Sequence, residues 1–303
     1  MKELKFKIIT PMFLGDARGA STELRPPSVK GMLRFWWRAI KACDEKDLRK
    51  EEARIFGSSE EEIGRSKFRI IIKDKIVEHD TKDYKLLPHH EGGRNCPYCK
   101  NKGDGFCHKG RTFSAIVPET SFSVLTDADE KIQQLFHISS ILGGLGKRSR
   151  RGFGSFQKVD FEQNFRNVEE VLKVIKNLLN GINNQYNLNG KISLMNTLKL
   201  NYPYIKEIEI GNSYLNSNDL LKKIGITSHE MAKKYSKGDS LGFAQRKNRL
   251  ASPIYVSTIK LDNQYFPIIT TLKTAFKNDW KKVNTKQQNE FKNIILKNEA
   301  IDE

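Results

Sequence analysis

The segment Gly144-Leu145-Gly146-Lys147-Arg148-Ser149-Arg150-Arg151-Gly152-Phe153-Gly154 constrains this chain more than any other. Two Gly-apolar-Gly clamps enclose four cations. Glycine admits positive φ and close backbone approach, so a helix can stop, turn tightly and feed a strand here. The amphipathic stretch from Asp129 to Leu142 supplies the helix, and Ser155 to Phe161 supplies the strand. A Walker loop is excluded, since Ile141 occupies its first glycine position and Arg148 its last. A dinucleotide fingerprint is excluded because that loop follows a strand and opens a helix. Successive backbone N–H groups in such a turn can cradle an anion. The segment therefore reads as a phosphate-backbone clamp, with Gly144, Gly146, Gly152 and Gly154 shaping it. Lys147, Arg148, Arg150, Arg151 and Phe153 are its candidate nucleic-acid-contacting side chains.

The rest of the composition agrees. Lys plus Arg is 53 against 36 Asp plus Glu, a formal net charge of +17. That excess attracts polyanions. The 17 Phe, 9 Tyr and 3 Trp supply bulk for a packed core. No stretch approaches the roughly 18–20 apolar residues that span a bilayer, so no membrane partner is expected. Met1 to Phe6 lacks the apolar core of a signal peptide. Four cysteines are too few for a disulfide scaffold. A cytoplasmic location is expected.

A second basic element precedes the loop. Leu24 to Cys43 holds Arg25, Lys30, Arg34, Arg38 and Lys41 and no acidic residue. Helix is predicted over 28–43, with Ser28 as N-cap. At about 100° per residue, Lys30, Arg34, Arg38 and Lys41 fall within an arc of roughly 80°. Met32, Leu33, Trp36, Ala39 and Ile40 occupy the other side, Trp37 borders the basic stripe and Phe35 lies off the opposite flank. Basic side chains beside an aromatic suit a single-stranded backbone with a stacked base. Uncompensated arginines one turn apart repel unless an anion visits.

The order of elements sets the fold class. Strand-like 4–10, the basic helix, a short charged helix ending near Phe56-Gly57, and strand-like 67–73 come first. Strand character returns over 112–126, followed by the helix, loop and strand described above. This β-α-β, insertion, β-α-β order suits a ferredoxin-like split βαβ unit, an α+β fold. Residues 162–190 read as helix then an Asn-rich turn. Strand 204–210, helix 219–235, strands 253–260 and 265–271, and helix 283–298 repeat the theme. Domains are expected at 1–165 and 166–303.

Residues 88–110 interrupt this order with Gly92, Gly93, Gly103, Gly105 and Gly110, three Cys and three His. Cys96-Pro97-Tyr98-Cys99 is the common half of a zinc knuckle, and Cys107 supplies a third thiolate. His108 completes a four-ligand set, with His90 and His89 as rival fourth ligands. Such a zinc would be structural, with no open position.

The glycine loop resembles the C-terminal signature of the RAMP superfamily of CRISPR-associated RNA-binding proteins. Thr10-Pro11-Met12-Phe13-Leu14-Gly15 and the run from Glu23 to Arg38, with Lys30-Gly31-Met32-Leu33-Arg34-Phe35-Trp36-Trp37-Arg38, resemble the first-subunit family of type III-B Cmr effector complexes. Leu241-Gly242 and Arg249 to Pro253 are compatible with that family's second half. The resemblance is strong over about 1–160. It implies two ferredoxin-like (RRM-like) domains. It also implies a non-catalytic subunit of a crRNA-guided, RNA-targeting antiviral complex, placed near the guide's 3′ end. The implied partners are crRNA, target single-stranded RNA or both, together with other Cmr subunits. The Cys/His insertion is not a recognised feature of that family. Some RAMP proteins cleave RNA, so a metal-independent endoribonuclease is the alternative, with His137 and Asp16 as the groups such a cut would test.

Overall fold

In this computed structural model the described residues are 1–15, 23–59, 63–74, 80–85, 87, 112–196, 198–235, 239–245, 248–275 and 283–298. Strand β1 (Lys2–Ile8) buries Leu4, Phe6 and Ile8 and turns Lys5 outward. Helix α1 (Pro26–Lys41) and helix α2 (Glu45–Phe56) follow, then β2 (Ile70–Ile72). A hairpin pairs β3 (Thr81–Lys85) with β4 (Thr112–Ile116), and β5 (Ser121–Thr126), α3 (Glu130–Leu142) and β6 (Phe156–Lys158) complete the first half. Its sheet is antiparallel in the order β2-β5-β1-β6. Phe6 stacks on Phe122 at 5.5 Å and meets Phe156 edge-on at 5.4 Å, so one aromatic cluster spans the two long-range pairings of β1 with β5 and β6.

Helix α1 starts two residues before the expected position. Pro26 and Pro27 hold its first turn, Arg25 is the N-cap, and no side chain caps it. Proline's fixed φ favours these positions and its missing N–H costs nothing there, so Ser28 lies inside the helix. Helix α3 begins as expected, with the Asp129 carboxylate accepting from Ile132 N at 2.9 Å.

The second half contains α4 (Phe161–Asn164), α5 (Val168–Asn180), β7 (Tyr186–Asn189), β8 (Lys191–Leu194) and β9 (Ile205–Ile210). Helix α6 (Ser217–Lys234), the pair β10 (Phe243–Gln245) and β11 (Asn248–Leu250), β12 (Ile254–Leu261), β13 (Gln264–Leu272) and α7 (Thr285–Lys297) complete it. Its main sheet is antiparallel in the order β12-β13-β9-β8-β7. The Asn-rich stretch is a hairpin turning at Gly190, where φ is +65°. Strand β8, which precedes β9, takes the place beside β9 that the last strand of a split βαβ unit would occupy.

The expected boundary at 165/166 is crossed by one continuous core. Trp36, Leu135, Phe136 and Ile138 of α1 and α3 share it with Tyr255, Ile259 and Ile268 of the second sheet, and with Ile175 and Leu179 of α5. Trp36 lies 5.1 Å from Tyr255. The other face of that sheet packs Ile254, Val256 and Ile269 against Leu220, Ile224, Phe291 and Ile295. The layers therefore run sheet, helices, sheet, helices, and the inner helices serve both sheets.

Candidate nucleic-acid interface

The glycine loop is not a loose surface loop. Leu145 N donates to Gly154 O at 3.0 Å, Lys147 N to Phe13 O at 2.8 Å, and Gly154 N to Pro11 O at 2.9 Å. Thr10 Oγ1 donates to Gly152 O at 2.6 Å and accepts from Ser155 N at 2.9 Å. The glycines are required by close approach. A Cβ on Gly146 (φ +87°) would lie 2.2 Å from Phe13 O, and one on Gly154 (φ +64°) 1.9 Å from Leu145 O. Much of the backbone N–H supply is spent inside the protein. An anion at this loop would therefore meet side chains rather than a backbone nest.

Those side chains divide into two groups. Lys147 is exposed, its ammonium 5.2 Å from the Phe113 ring on the hairpin that flanks the insertion. Arg148 is half-buried at φ +60°, and burial pushes its pKa down. The Arg150 guanidinium stacks over Phe35 at 5.0 Å and near Tyr255 at 5.7 Å, and donates to Ser252 O. Arg151 belongs to the fold instead. Its guanidinium donates to Ser252 Oγ at 2.9 Å, Ile254 O at 3.1 Å, Leu241 O at 2.9 Å and Arg150 O at 3.1 Å, and sits 5.4 Å from the Phe291 ring. Burial lowers its pKa, with Arg148 and Arg150 adding repulsion. Phe153 is buried against Phe13 at 5.2 Å. Arg151 and Phe153 are thus corrected from RNA contacts to structural residues.

The basic helix is also altered by its neighbour. Helix α2 faces α1 with the buried stripe Leu48, Glu52 and Phe56. Its central carboxylate is only 9 % exposed and receives both arginines of the basic stripe. Arg38 donates Nε and Nη2 to the two oxygens of Glu52. Arg34 Nε lies 3.0 Å from Glu52 Oε1 as an ion pair, without hydrogen-bond alignment, while its Nη2 donates to Gly57 O at 2.9 Å. Lys41 pairs with Glu51 at 2.8 Å. Three of the four cations in the stripe expected to be uncompensated, Arg34, Arg38 and Lys41, are compensated by α2. The hydrogen bond to Glu52 raises the Arg38 pKa. Lys30 lies 5.5 Å from the Phe68 ring, and burial, then Arg34, lowers its pKa. Arg25 is exposed at the helix start.

Trp37 is 1 % exposed and lies 6.3 Å from Phe56, so it cannot offer a face to a base. The aromatic that joins helix to loop is Phe35, beside Arg34 in sequence and under Arg150 in space. Gly31, one turn earlier, is exposed and leaves open space above the helix. The helix and loop are therefore brought together, but through Phe35 and Arg150 rather than Trp37 and Phe153. Glu52 had a signal in the sequence, an acidic residue midway in an apolar i, i+4, i+8 stripe. Tyr255 had none, since its role depends on the second sheet's position.

His137 lines a cleft of about 600 Å³ with Phe6, Phe136, Lys158 and Asp160. Its Nε2 is buried without a partner, and burial, then Lys158, pushes its pKa down to about 4 against the pull of Asp160. Asp16 lies outside the described residues, as do Cys96, Cys99, Cys107 and His108. The strands flanking the insertion pair Lys85 with Thr112, so it leaves and rejoins the fold at adjacent positions. No described helix is long and apolar enough to cross a membrane.

Comparison with known proteins places these features. The family model for the RAMP superfamily matches residues 5–157. CRISPR system Cmr subunit Cmr1-1 of Pyrococcus furiosus is 28 % identical over 146 residues, which span 45 % of this chain and 41 % of the relative. Cmr subunit Cmr1-2 of the same organism is 30 % identical over 179 residues, 49 % of this chain and 90 % of the relative. The match thus spans less than half of the first relative and most of the second. The crystal structure of apo Cmr1 from Pyrococcus furiosus superposes with a TM-score of 0.60 at 19 % identity, covering 96 % of this chain and 95 % of that one. A chain of the type III-B Cmr-β complex, solved by cryo-EM bound to cognate target RNA and AMPPnP, gives 0.61 at 14 % identity, covering 97 % and 99 %. The overall fold is shared along nearly the whole length.

Proposed function

The chain belongs to the RAMP superfamily, and from that premise we propose that it is a non-catalytic, RNA-contacting subunit of a type III-B Cmr complex. Its two halves are ferredoxin-like units in this reading, the second with β8 supplying the last strand. One observation carries it: a glycine loop with a locked backbone carries the exposed Lys147 and the half-buried Arg148 and Arg150, with Arg150 over the Phe35 ring of α1. Charge on a rigid frame binds a sugar–phosphate backbone without reading sequence. Base pairing in a guided complex supplies the sequence reading. The crRNA guide, target single-stranded RNA or both are the ligands, near the guide's 3′ end, and other Cmr subunits are the protein partners. The net charge of +17 supports a polyanionic ligand.

The test is binding of the purified chain to labelled single-stranded RNA across a salt series with EDTA present, followed by a denaturing gel. The expected result is intact RNA and an affinity that falls with salt, the log–log slope growing by about 0.7 per neutralised phosphate. A flat salt response contradicts the proposal, and cleaved RNA contradicts its non-catalytic part. We further propose a structural zinc held by Cys96, Cys99, Cys107 and His108 in the insertion between β3 and β4.

A further inference from the structure

Resting on the RNA-contacting reading, we infer that Glu52 is a positioning residue, a buried carboxylate that sets Arg34 and Arg38 as a two-pronged phosphate clamp. The residue is otherwise hard to explain. It occupies the centre of the stripe by which α2 packs on α1, between Leu48 and Phe56, where an apolar side chain would serve packing. Its side chain is 9 % exposed, and a carboxylate taken out of water needs strong partners. Its partners are the two arginines one turn apart on α1.

The geometry leaves each guanidinium partly used. Arg38 spends Nε and one hydrogen of Nη2 on Glu52, which leaves Nη1 and the second Nη2 hydrogen. Arg34 directs Nε at Glu52 and Nη2 at the Gly57 carbonyl, which leaves Nη1. Arginine carries five N–H donors in a planar fork, so one edge can be anchored while another faces a ligand. Arg38 is 48 % exposed and Arg34 37 % exposed at the side chain, so the unspent edges reach solvent. Phe56 adds a second restraint, 5.5 Å from the Arg34 guanidinium. Gly57, the α2 C-cap at φ +83°, can place its carbonyl there only as glycine, since a Cβ would lie 2.7 Å from Ser66 N. The anchored pair gives up flexibility in advance and carries one net positive charge for three ionised groups.

This assignment differs in sign from simple charge counting. A carboxylate removed from a basic face strengthens the local positive field, and on Coulomb grounds alone RNA should bind more tightly. If Glu52 positions the clamp, its removal frees two long side chains whose ordering must then accompany binding, and RNA binds more weakly.

The experiment measures the affinity of the full chain for single-stranded RNA across a salt series. Wild type is compared with Glu52→Gln, Glu52→Asp and the double variant Arg34→Ala/Arg38→Ala, each checked for native circular dichroism. Glu52→Asp keeps the charge but shortens the reach, and it stands in if Glu52→Gln does not fold. The inference expects Glu52→Gln and Glu52→Asp to lose about ten-fold in affinity. Their salt slope should also fall by about 0.7, one phosphate's worth. Tighter or unchanged binding by a folded Glu52 variant overturns it while leaving the RNA reading intact. A wild-type chain that binds no RNA overturns the RNA reading itself and this inference with it.

Discussion

Gly152 donates its backbone N–H to the Val256 carbonyl at 2.9 Å, and Val256 N returns to the Arg150 carbonyl at 3.3 Å. This parallel bridge seats the glycine loop against β12, the edge strand of the second sheet. Ser155 and Gln157 extend the seam with side chains in place of backbone. Ser155 Oγ accepts from Thr258 N at 3.0 Å, and Gln157 exchanges bonds of 2.9 and 3.1 Å with Lys260. The loop is therefore a structural joint as well as a display surface, and the two roles separate by residue.

Gly154→Ala tests the joint. Its Cβ would meet Leu145 O at 1.9 Å from a left-handed backbone. The expected cost is about 3 kcal/mol or more, read as a fall in denaturation midpoint or as insoluble protein. Gly31→Ala is its contrast, because Gly31 sits inside a helix with open space around it. That change should raise stability by about 0.5–1 kcal/mol.

Arg151→Ala and Lys147→Ala should have opposite signatures. Arg151 donates to four acceptors around the joint, so its loss removes four hydrogen bonds, the one to Leu241 O among them, and should cost about 2–4 kcal/mol in urea unfolding. Lys147 is exposed, so its removal should change stability by less than about 0.5 kcal/mol. It should weaken RNA binding and reduce the salt slope by about 0.7. Wild-type RNA affinity in Lys147→Ala would remove it from the interface.

Phe35 and Trp37 should divide in the same way. Trp37→Ala empties a core position and should cost about 3–5 kcal/mol of stability. Phe35→Leu keeps apolar volume but loses the ring beneath Arg150. If a base stacks there, RNA affinity should fall by about 1–3 kcal/mol with a near-native melting temperature. Unchanged binding by Phe35→Leu would exclude stacking at that ring.

Acid unfolding should occur in two windows. His137 has its pKa lowered to about 4, so the unfolded chain takes up its proton first. The stability it contributes is complete above about 6.5 and is lost as pH falls through 4. Glu207 pairs with Lys191 and with the buried Lys292, which hold its pKa down to about 2 despite burial. Its contribution is complete above 4.5 and is lost as pH falls through 2. Melting temperature against pH should lose the upper window in His137→Phe and the lower one in Glu207→Gln.

Metal analysis of the purified chain tests the zinc proposal. About one zinc per chain is expected, lost in Cys96→Ser/Cys99→Ser. A metal-free wild-type chain purified without chelator would reject the site.

Local features were legible in the sequence. The glycine spacing located the loop between helix and strand, and the α1 periodicity assigned Met32, Leu33, Trp36, Ala39 and Ile40 to the core. The hairpin β7–β8 was hidden because Asn-rich segments favour turns, yet Ile192 and Tyr186 bury against the sheet. The compensation of the basic stripe was not legible from α1 alone. It depends on how α2 crosses α1, and a helical wheel describes one helix without its neighbour. Trp37 and Phe153 failed for the same reason, since an aromatic beside cations reads alike whether it faces solvent or a second helix. The helical layer shared by the halves expected at 1–165 and 166–303 was not legible either, since only the long-range packing of Trp36 on Tyr255 discloses it.

Strand β1 lies in the middle of its sheet, between β5 and β6. It is synthesised before both of them: β5 follows the insertion, and β6 follows α3. The inner helices then need the second sheet to cover their remaining apolar side. A nascent chain of this kind carries Trp36 without its partner Tyr255 through most of its synthesis. Its yield in a cell should therefore depend on holdase chaperones and on translation speed across the second half.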